Sequence, residues 1–240
     1  MSRRRLLSPA LLALLATAGC GRGPDFGMPS PVSDQGSDVL DLWRGSVVAA
    51  LVVGALVWGL IVFSLLRFRR RDDDLPSQGL GNARAELLYT ALPVIVVAVL
   101  FGFTVFTQER VTAVSATPDL RVDVVGFQWS WEFRYPEQGV VVASDGVRVP
   151  RLVLPVGSTV RFSLTTRDVN HAFWVPEFLM KRDLIRGVEN QVDVTLSEAG
   201  TWRGRCAEFC GLYHWRMPFD VASVPQAEFD RWVADHGRDV

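Results

Sequence analysis

The sequence predicts a two-helix transmembrane hairpin carrying an all-β external domain. Three observations lead there. Two uncharged, mostly apolar runs of 21 residues occupy positions 46–66 and 87–107. The segment between them is crowded with arginine. Beyond residue 117 the chain changes to short runs rich in valine, threonine and aromatic residues, punctuated by glycine, proline and aspartate. With 240 residues, 49% of them hydrophobic, and a net charge of −1, the chain has room for one large or two small domains. Nothing in that composition points to disorder or to a nucleic-acid partner.

In chain order, "MSRRRLLSPALLALLATAGC" comes first. Basic residues Arg3 to Arg5 precede a short apolar run and then small residues, which is the pattern of a secretory signal over 1–19. Thr17-Ala18-Gly19-Cys20 resembles a bacterial lipobox, with Thr17 where leucine is commoner. Cleavage before Cys20 and lipidation of its sulfur are expected, and a plain signal with an incidental cysteine is the alternative. Residues 20–45, rich in glycine, proline, serine and aspartate, read as an external linker.

Each apolar run meets the roughly 20 residues a helix needs to cross the hydrocarbon core. Helices are expected at about 46–66 and 87–107. Arg67, Arg69, Arg70, Arg71 and Arg84 lie between them, so that loop belongs on the cytoplasmic side. Both flanks then face outward, in keeping with an exported N-terminus. The expected location is a bacterial plasma membrane, crossed twice.

From residue 108 onward the external domain is expected to be a sandwich or Greek-key barrel. Strand-like runs lie at 120–125, 151–155, 159–167, 171–176, 190–196 and 201–206. In "GFQWSWEFRYP" (126–136), alternation puts Trp129, Trp131, Phe133 and Tyr135 on one strand face. Core packing is the bland reading of that stripe. Residues 225–237 read as a short amphipathic closing helix.

The chemistry concentrates in "CAEFCGLYHWRM" (206–217), where Cys206, Cys210, His214 and Met217 follow a C-x3-C-x3-H-x2-M spacing. Thiolate, imidazole and thioether together select copper over hard cations. A disulfide is the main alternative in an oxidising space, yet it gives no reason for His214 and Met217. Thioether is a poor zinc ligand. A mononuclear blue-copper site has use for one thiolate only. Two sulfurs become useful when they bridge two coppers, and each copper then needs one histidine. Of the two other histidines, His236 lies in the C-terminal tail and His171 stands between two strand-like runs. A cupredoxin-like barrel draws one histidine from an earlier strand and its other ligands from a late loop, so His171 is the expected partner.

The loop is similar to the C-x-E-x-C-G-x-x-H-x-x-M segment of subunit II of the haem–copper cytochrome c oxidases, and the hairpin and barrel resemble that family too. The resemblance implies a dinuclear copper centre, CuA, with Cys206 and Cys210 bridging and His171 and His214 binding one copper each. It implies Met217 as a weak ligand, the Glu208 carbonyl as another, and the Glu208 carboxylate on a magnesium shared with subunit I. Trp129 resembles the family's point at which electrons arrive from cytochrome c, with Trp131 its companion. Phe127 stands where the family usually has histidine. The segment Glu86-x-x-Tyr89-Thr90-x-x-Pro93 resembles one whose glutamate opens a proton pathway into subunit I. A solvated interfacial carboxylate is the other reading of Glu86. The resemblance further implies electron relay from cytochrome c, soluble or membrane-bound, to the haems of subunit I, where oxygen is reduced with proton pumping.

One further departure stands out, Ile185-Arg186-Gly187-Val188 in place of the family's I-P-G-R, whereas Asp168 matches a frequent family aspartate near the subunit I contact. The region from 108 onward carries 18 acidic and 15 basic residues, a mild bias that attracts a basic partner. A membrane-anchored, thiol-based copper chaperone is the rival of another class. It expects proline after the second cysteine and a βαβ pattern, where this chain has Gly211 and strands.

Overall fold

The computed structural model describes residues 25–71, 73, 79, 81–144 and 148–236. The expected signal and Cys20 lie outside the described residues. The chain forms two compact units, Asp41–Ala113 and a second made of the segments up to Leu40 and from Val114.

Helix α1 (Asp34–Arg67) and helix α2 (Ala83–Thr112) contain the two apolar runs. At about 1.5 Å per residue, either exceeds the ~30 Å of a hydrocarbon core. Their apolar side chains, such as Leu51, Phe63, Ile95 and Phe101, are exposed, as lipid-facing residues must be. Asn82 caps α2, its side-chain oxygen accepting from the amides of Arg84 (3.1 Å) and Ala85 (3.2 Å). Glu86 follows in the first turn, and Pro93 sits inside the helix.

The reading of 20–45 as a linker is corrected over its second half, because α1 begins at Asp34. Ser33 caps it, accepting from the Gly36 amide at 3.1 Å, and Asp34 adds a carboxylate to the positive helix end. The segment before the helix is docked on the barrel. Val32 is buried, its amide donating to the Glu177 carbonyl (3.1 Å) and its carbonyl accepting from Ser197 (3.0 Å). The Gln35 side chain accepts from the Thr195 amide at 3.0 Å. Polar composition hid these residues, because their order comes from hydrogen bonds to distant strands.

Among the described residues the β unit has ten strands: β1 (Leu120–Phe127), β2 (Ser130–Tyr135), β3 (Val140–Ala143), β4 (Arg151–Pro155), β5 (Thr159–Thr166), β6 (His171–Val175), β7 (Met180–Leu184), β8 (Asn190–Thr195), β9 (Gly200–Cys206) and β10 (Pro218–Val224). One sheet runs β3-β2-β1-β5-β8 and the other β4-β10-β9-β6-β7. Pairs β1–β5 and β4–β10 are parallel and the rest antiparallel. The result is the cupredoxin-like Greek-key barrel the sequence predicts. Val122, Trp131, Phe133 and Phe162 of one sheet share a core with Leu152, Phe173 and Phe219 of the other. The Tyr135 hydroxyl ties them further, donating to the Val153 carbonyl (3.0 Å) and accepting from the Val153 amide (2.9 Å). Helix α3 (Gln226–His236) closes the barrel, with Phe229 buried and Trp232 edge-on to Tyr135 at 5.1 Å.

Candidate metal centre

The barrel brings the ends of two neighbouring strands together. His171 opens β6 and Cys206 ends β9, and these strands pair antiparallel with Phe173 opposite Cys206. From Cys206 the chain leaves as a loop and returns at Met217, just before β10. Backbone bonds from Cys206 N to Met217 O (3.2 Å) and from Ala207 N to Ala172 O (3.1 Å) pin its ends. Inside it, Gly211 takes a φ of +117°, which disfavours any side chain, and His214–Arg216 form a 3-10 turn.

Six donors converge as a result. The sulfurs of Cys206 and Cys210 lie 3.9 Å apart and are not bonded to each other. His171 Nδ1 is 3.8 Å from the Cys206 sulfur, and His214 Nδ1 is 3.6 Å from the Cys210 sulfur. Met217 Sδ lies 3.4 Å from Cys210, and the Glu208 carbonyl accepts from Cys206 at 3.2 Å. Cys206, Cys210, His171 and Met217 are buried and His214 is half-buried. His236 stands apart from this cluster at the end of α3, its Nδ1 donating to the Trp232 carbonyl at 2.9 Å.

The electrostatics favour one thiolate. Burial opposes ionising Cys206, but hydrogen bonds from His171 and from the backbone around Glu208 and Ala172 bring its thiol well below the ordinary range. Burial, and then the charge on Cys206, push the Cys210 thiol upward. The two sulfurs therefore ionise as a coupled pair, and an entering cation would draw off the second proton. Burial disfavours a charged His171, yet Cys206 and Asp168 outweigh it and raise its proton affinity.

The donor set fits a soft cation. The ligand atoms of His171, Cys206 and Cys210 all lie within 4.8 Å of one another. Bonds of about 2.0–2.3 Å to nitrogen and sulfur let an ion touch both sulfurs at their observed separation. The thioether of Met217 excludes a hard ion as the intended guest.

Around this cluster the other expected residues fall unevenly. The Glu208 side chain points to solvent, 4.0 Å from the ammonium of Lys181. Trp129 precedes β2, is half-buried, and donates its Nε1 hydrogen to the Cys210 carbonyl at 3.3 Å. Trp131 is wholly buried and donates to the Met217 carbonyl at 3.0 Å. The aromatic stripe thus splits: Trp131, Phe133 and Tyr135 are core, whereas Trp129 stands at the rim. Glu86 belongs to the other unit, exposed on α2.

Two residues went unrecognised as parts of the site. Asp168 receives the Nε2 of His171 at 2.9 Å, and Gln128 sends its side-chain amide to the Cys210 carbonyl at 2.9 Å. The sequence marked the first only by its place three before His171 and its resemblance to a family aspartate at the subunit I contact, not as a partner of the imidazole. The second had none.

Comparison with known proteins agrees over both units. Residues 24–106 match the family described as cytochrome c oxidase subunit II, transmembrane domain, and 120–224 match its periplasmic domain. A probable cytochrome c oxidase subunit 2 of Streptomyces avermitilis is 40% identical, over 97% of this chain and 87% of that one. A cytochrome c oxidase subunit 2 of Mycobacterium tuberculosis is 31% identical, over 96% and 81% respectively. Among solved structures, the periplasmic domain of subunit II of the Bradyrhizobium japonicum cytochrome oxidase is 29% identical. It covers 52% of this chain and 99% of its own, with a TM-score of 0.48.

Proposed function

The chain belongs to the cytochrome c oxidase subunit II family, and from that premise we propose that it is the electron-receiving subunit of its oxidase, holding a dinuclear copper centre in the loop from Cys206 to Met217. The observation that carries this reading is the pair of unbonded, buried sulfurs 3.9 Å apart, each with an imidazole nitrogen within 3.8 Å. When bound, the copper pair supplies a one-electron carrier whose charge is shared between two ions.

The chain's own residues would do the rest. Cys206, Cys210, His171 and His214 would hold the copper pair, two thiolates and two imidazoles for two ions. Met217 and the Glu208 carbonyl would complete the two coordination spheres. A barrel-held ligand set changes little between redox states, which suits fast relay. Six protein donors would leave no place for a substrate, so oxygen reduction is assigned to subunit I.

Trp129 would receive the electron from cytochrome c. Its ring lies at the rim, and its Nε1–H reaches the carbonyl of Cys210, a short covalent path from that residue's sulfur. Tyr213 packs edge-on against it at 4.9 Å and holds its plane. Trp131 would serve as the buried floor of the loop. Acidic residues outnumber basic ones on this domain and would draw in a basic donor.

Toward subunit I, the Glu208 carboxylate would bind a shared magnesium, and Glu86 would open a proton pathway at the inner end of α2. The two helices would hold the subunit in the plasma membrane with the barrel outside. A Cys20 lipid, if present, would add a second anchor.

Rapid mixing of the assembled oxidase with reduced cytochrome c tests the central step. Replacing Trp129 by phenylalanine should slow reduction of the copper centre sharply while leaving its optical spectrum unchanged. An unchanged rate would move electron arrival elsewhere.

A further inference from the structure

Gln128 has a place in the site that neither its chemistry nor its sequence context announces. Its side-chain nitrogen donates to the carbonyl of Cys210 at 2.9 Å, beside the longer bond from Trp129. Its own backbone amide donates to Asp168 Oδ2 at 2.7 Å. The other oxygen of that carboxylate, Oδ1, holds Nε2 of His171 at 2.9 Å. One residue therefore bonds the cysteine end of the donor cluster with its side chain, and reaches the histidine end through one carboxylate with its backbone.

Local packing is built around this amide. A Cβ on Gly211 would stand 3.1 Å from Gln128 Nε2 and 3.4 Å from the Trp129 ring. The glycine thus serves both the left-handed backbone and the approach of Gln128. Phe209, Leu212 and Trp215 on either side of Cys210 are 78%, 73% and 77% exposed, so their side chains do not hold the loop. A loop whose neighbouring side chains face solvent depends on the bonds its backbone makes.

We propose that Gln128 is a positioning residue that braces the Cys210 side of the metal loop to the Asp168–His171 pair, setting the site's shape before any metal enters. The brace is a property of the protein alone. Its consequence for metal binding rests on the copper reading given above. A preset site spends no binding energy ordering its own ligands, so losing the brace should weaken affinity and loosen the loop.

The test uses the full chain in detergent, in copper-free and copper-loaded forms, with Gln128→Met and Gln128→Glu. Methionine keeps the length without a donor; glutamate keeps shape and polarity but turns an acceptor on the Cys210 carbonyl. Either variant suffices should the other fail to fold. In the copper-free chain, amide hydrogen exchange at His214 and Arg216, whose amides bond Gly211 and Tyr213 within the loop, should quicken by about tenfold, as loss of one neutral hydrogen bond implies. In competition with a copper chelator, affinity should fall by about 10–100-fold, the usual cost of removing an outer hydrogen bond from a metal site. Unchanged exchange overturns the brace. Faster exchange with copper affinity kept within about threefold overturns the positioning role, since outer partners normally cost more. If the unaltered chain takes up no copper, the electron-relay reading fails instead, and exchange in the copper-free chain still decides the brace.

Discussion

Asp168 and His171 share a hydrogen bond of 2.9 Å, from ring Nε2 to carboxylate Oδ1, which leaves Nδ1 directed at the Cys206 sulfur 3.8 Å away. The carboxylate thereby fixes which nitrogen of a buried imidazole is offered to a metal. Replacing Asp168 by leucine should lower copper affinity by about 10–100-fold. Chelator competition on the full chain measures it, and retention of normal affinity would show that the ring needs no such guide.

The linker leaving α2 is clamped by a buried ion pair. Arg161 meets Asp193 at 2.7 and 2.9 Å, Asp193 accepts from the Ser115 amide at 2.6 Å, and Arg161 also donates to the Ser115 carbonyl. With side-chain exposures of 10% and 3%, neither charge is easily hydrated. Arg161→Met should destabilise the chain by about 3–5 kcal/mol, because it strands a buried carboxylate. Adding Asp193→Leu should recover part of that loss. Urea unfolding followed by barrel tryptophan fluorescence reads both.

Acid should weaken the barrel in part through Glu132. Burial pushes this carboxyl up, but Arg167 at 2.7 Å and Arg134 beside it pull harder, so its pKa in the folded protein lies below the ordinary 4.5. The unfolded chain then takes up the proton first as pH drops. The stabilisation is complete above about pH 4.5 and disappears as pH falls through the folded value. The urea midpoint should fall over that window in the parent chain and fall less in Glu132→Gln. Equal slopes would assign the acid sensitivity to other groups.

Two tryptophans two residues apart should behave differently. Trp131 is fully buried, edge-on to Phe219 at 5.2 Å and bonded to the Met217 carbonyl. Trp131→Phe should cost about 1–3 kcal/mol in denaturant unfolding. Trp129→Phe, at the rim, should cost clearly less while slowing electron arrival. Similar losses for both would remove the distinction between floor and point of arrival.

Glu86→Gln tests the proton pathway separately. It should slow oxygen-linked turnover of the assembled oxidase while reduction of copper by cytochrome c keeps its rate. Unaltered turnover would leave Glu86 as a solvated carboxylate at a helix end.

The parts of the fold governed by composition were legible in the sequence. Two uncharged runs marked α1 and α2, and a short apolar run closed by proline marked β4 at its observed residues. Elements held by distant partners were not. Residues 32–35 looked like part of a linker because their order depends on distant partners, Glu177 and Ser197 for Val32 and Thr195 for Gln35. Strand β7 reads Met-Lys-Arg-Asp-Leu, with only Leu184 buried, and β10 begins at a proline, so neither carries the usual strand signature. Within the site, scarce and chemically distinctive residues betrayed themselves: two cysteines, a histidine and a methionine in twelve positions, then His171 by elimination. Gln128 could not be found in this way, since an amide acquires its role only when folding sets it against a carbonyl 82 positions along the chain.

The most direct test of the copper reading is electron paramagnetic resonance on the full chain loaded with copper, together with its copper content. Two coppers per chain, with hyperfine structure from one electron shared equally between them and lost in Cys210→Ser, is the predicted result. A single-copper spectrum, or a silent sample whose Cys206 and Cys210 have joined in a reducible disulfide, would contradict it.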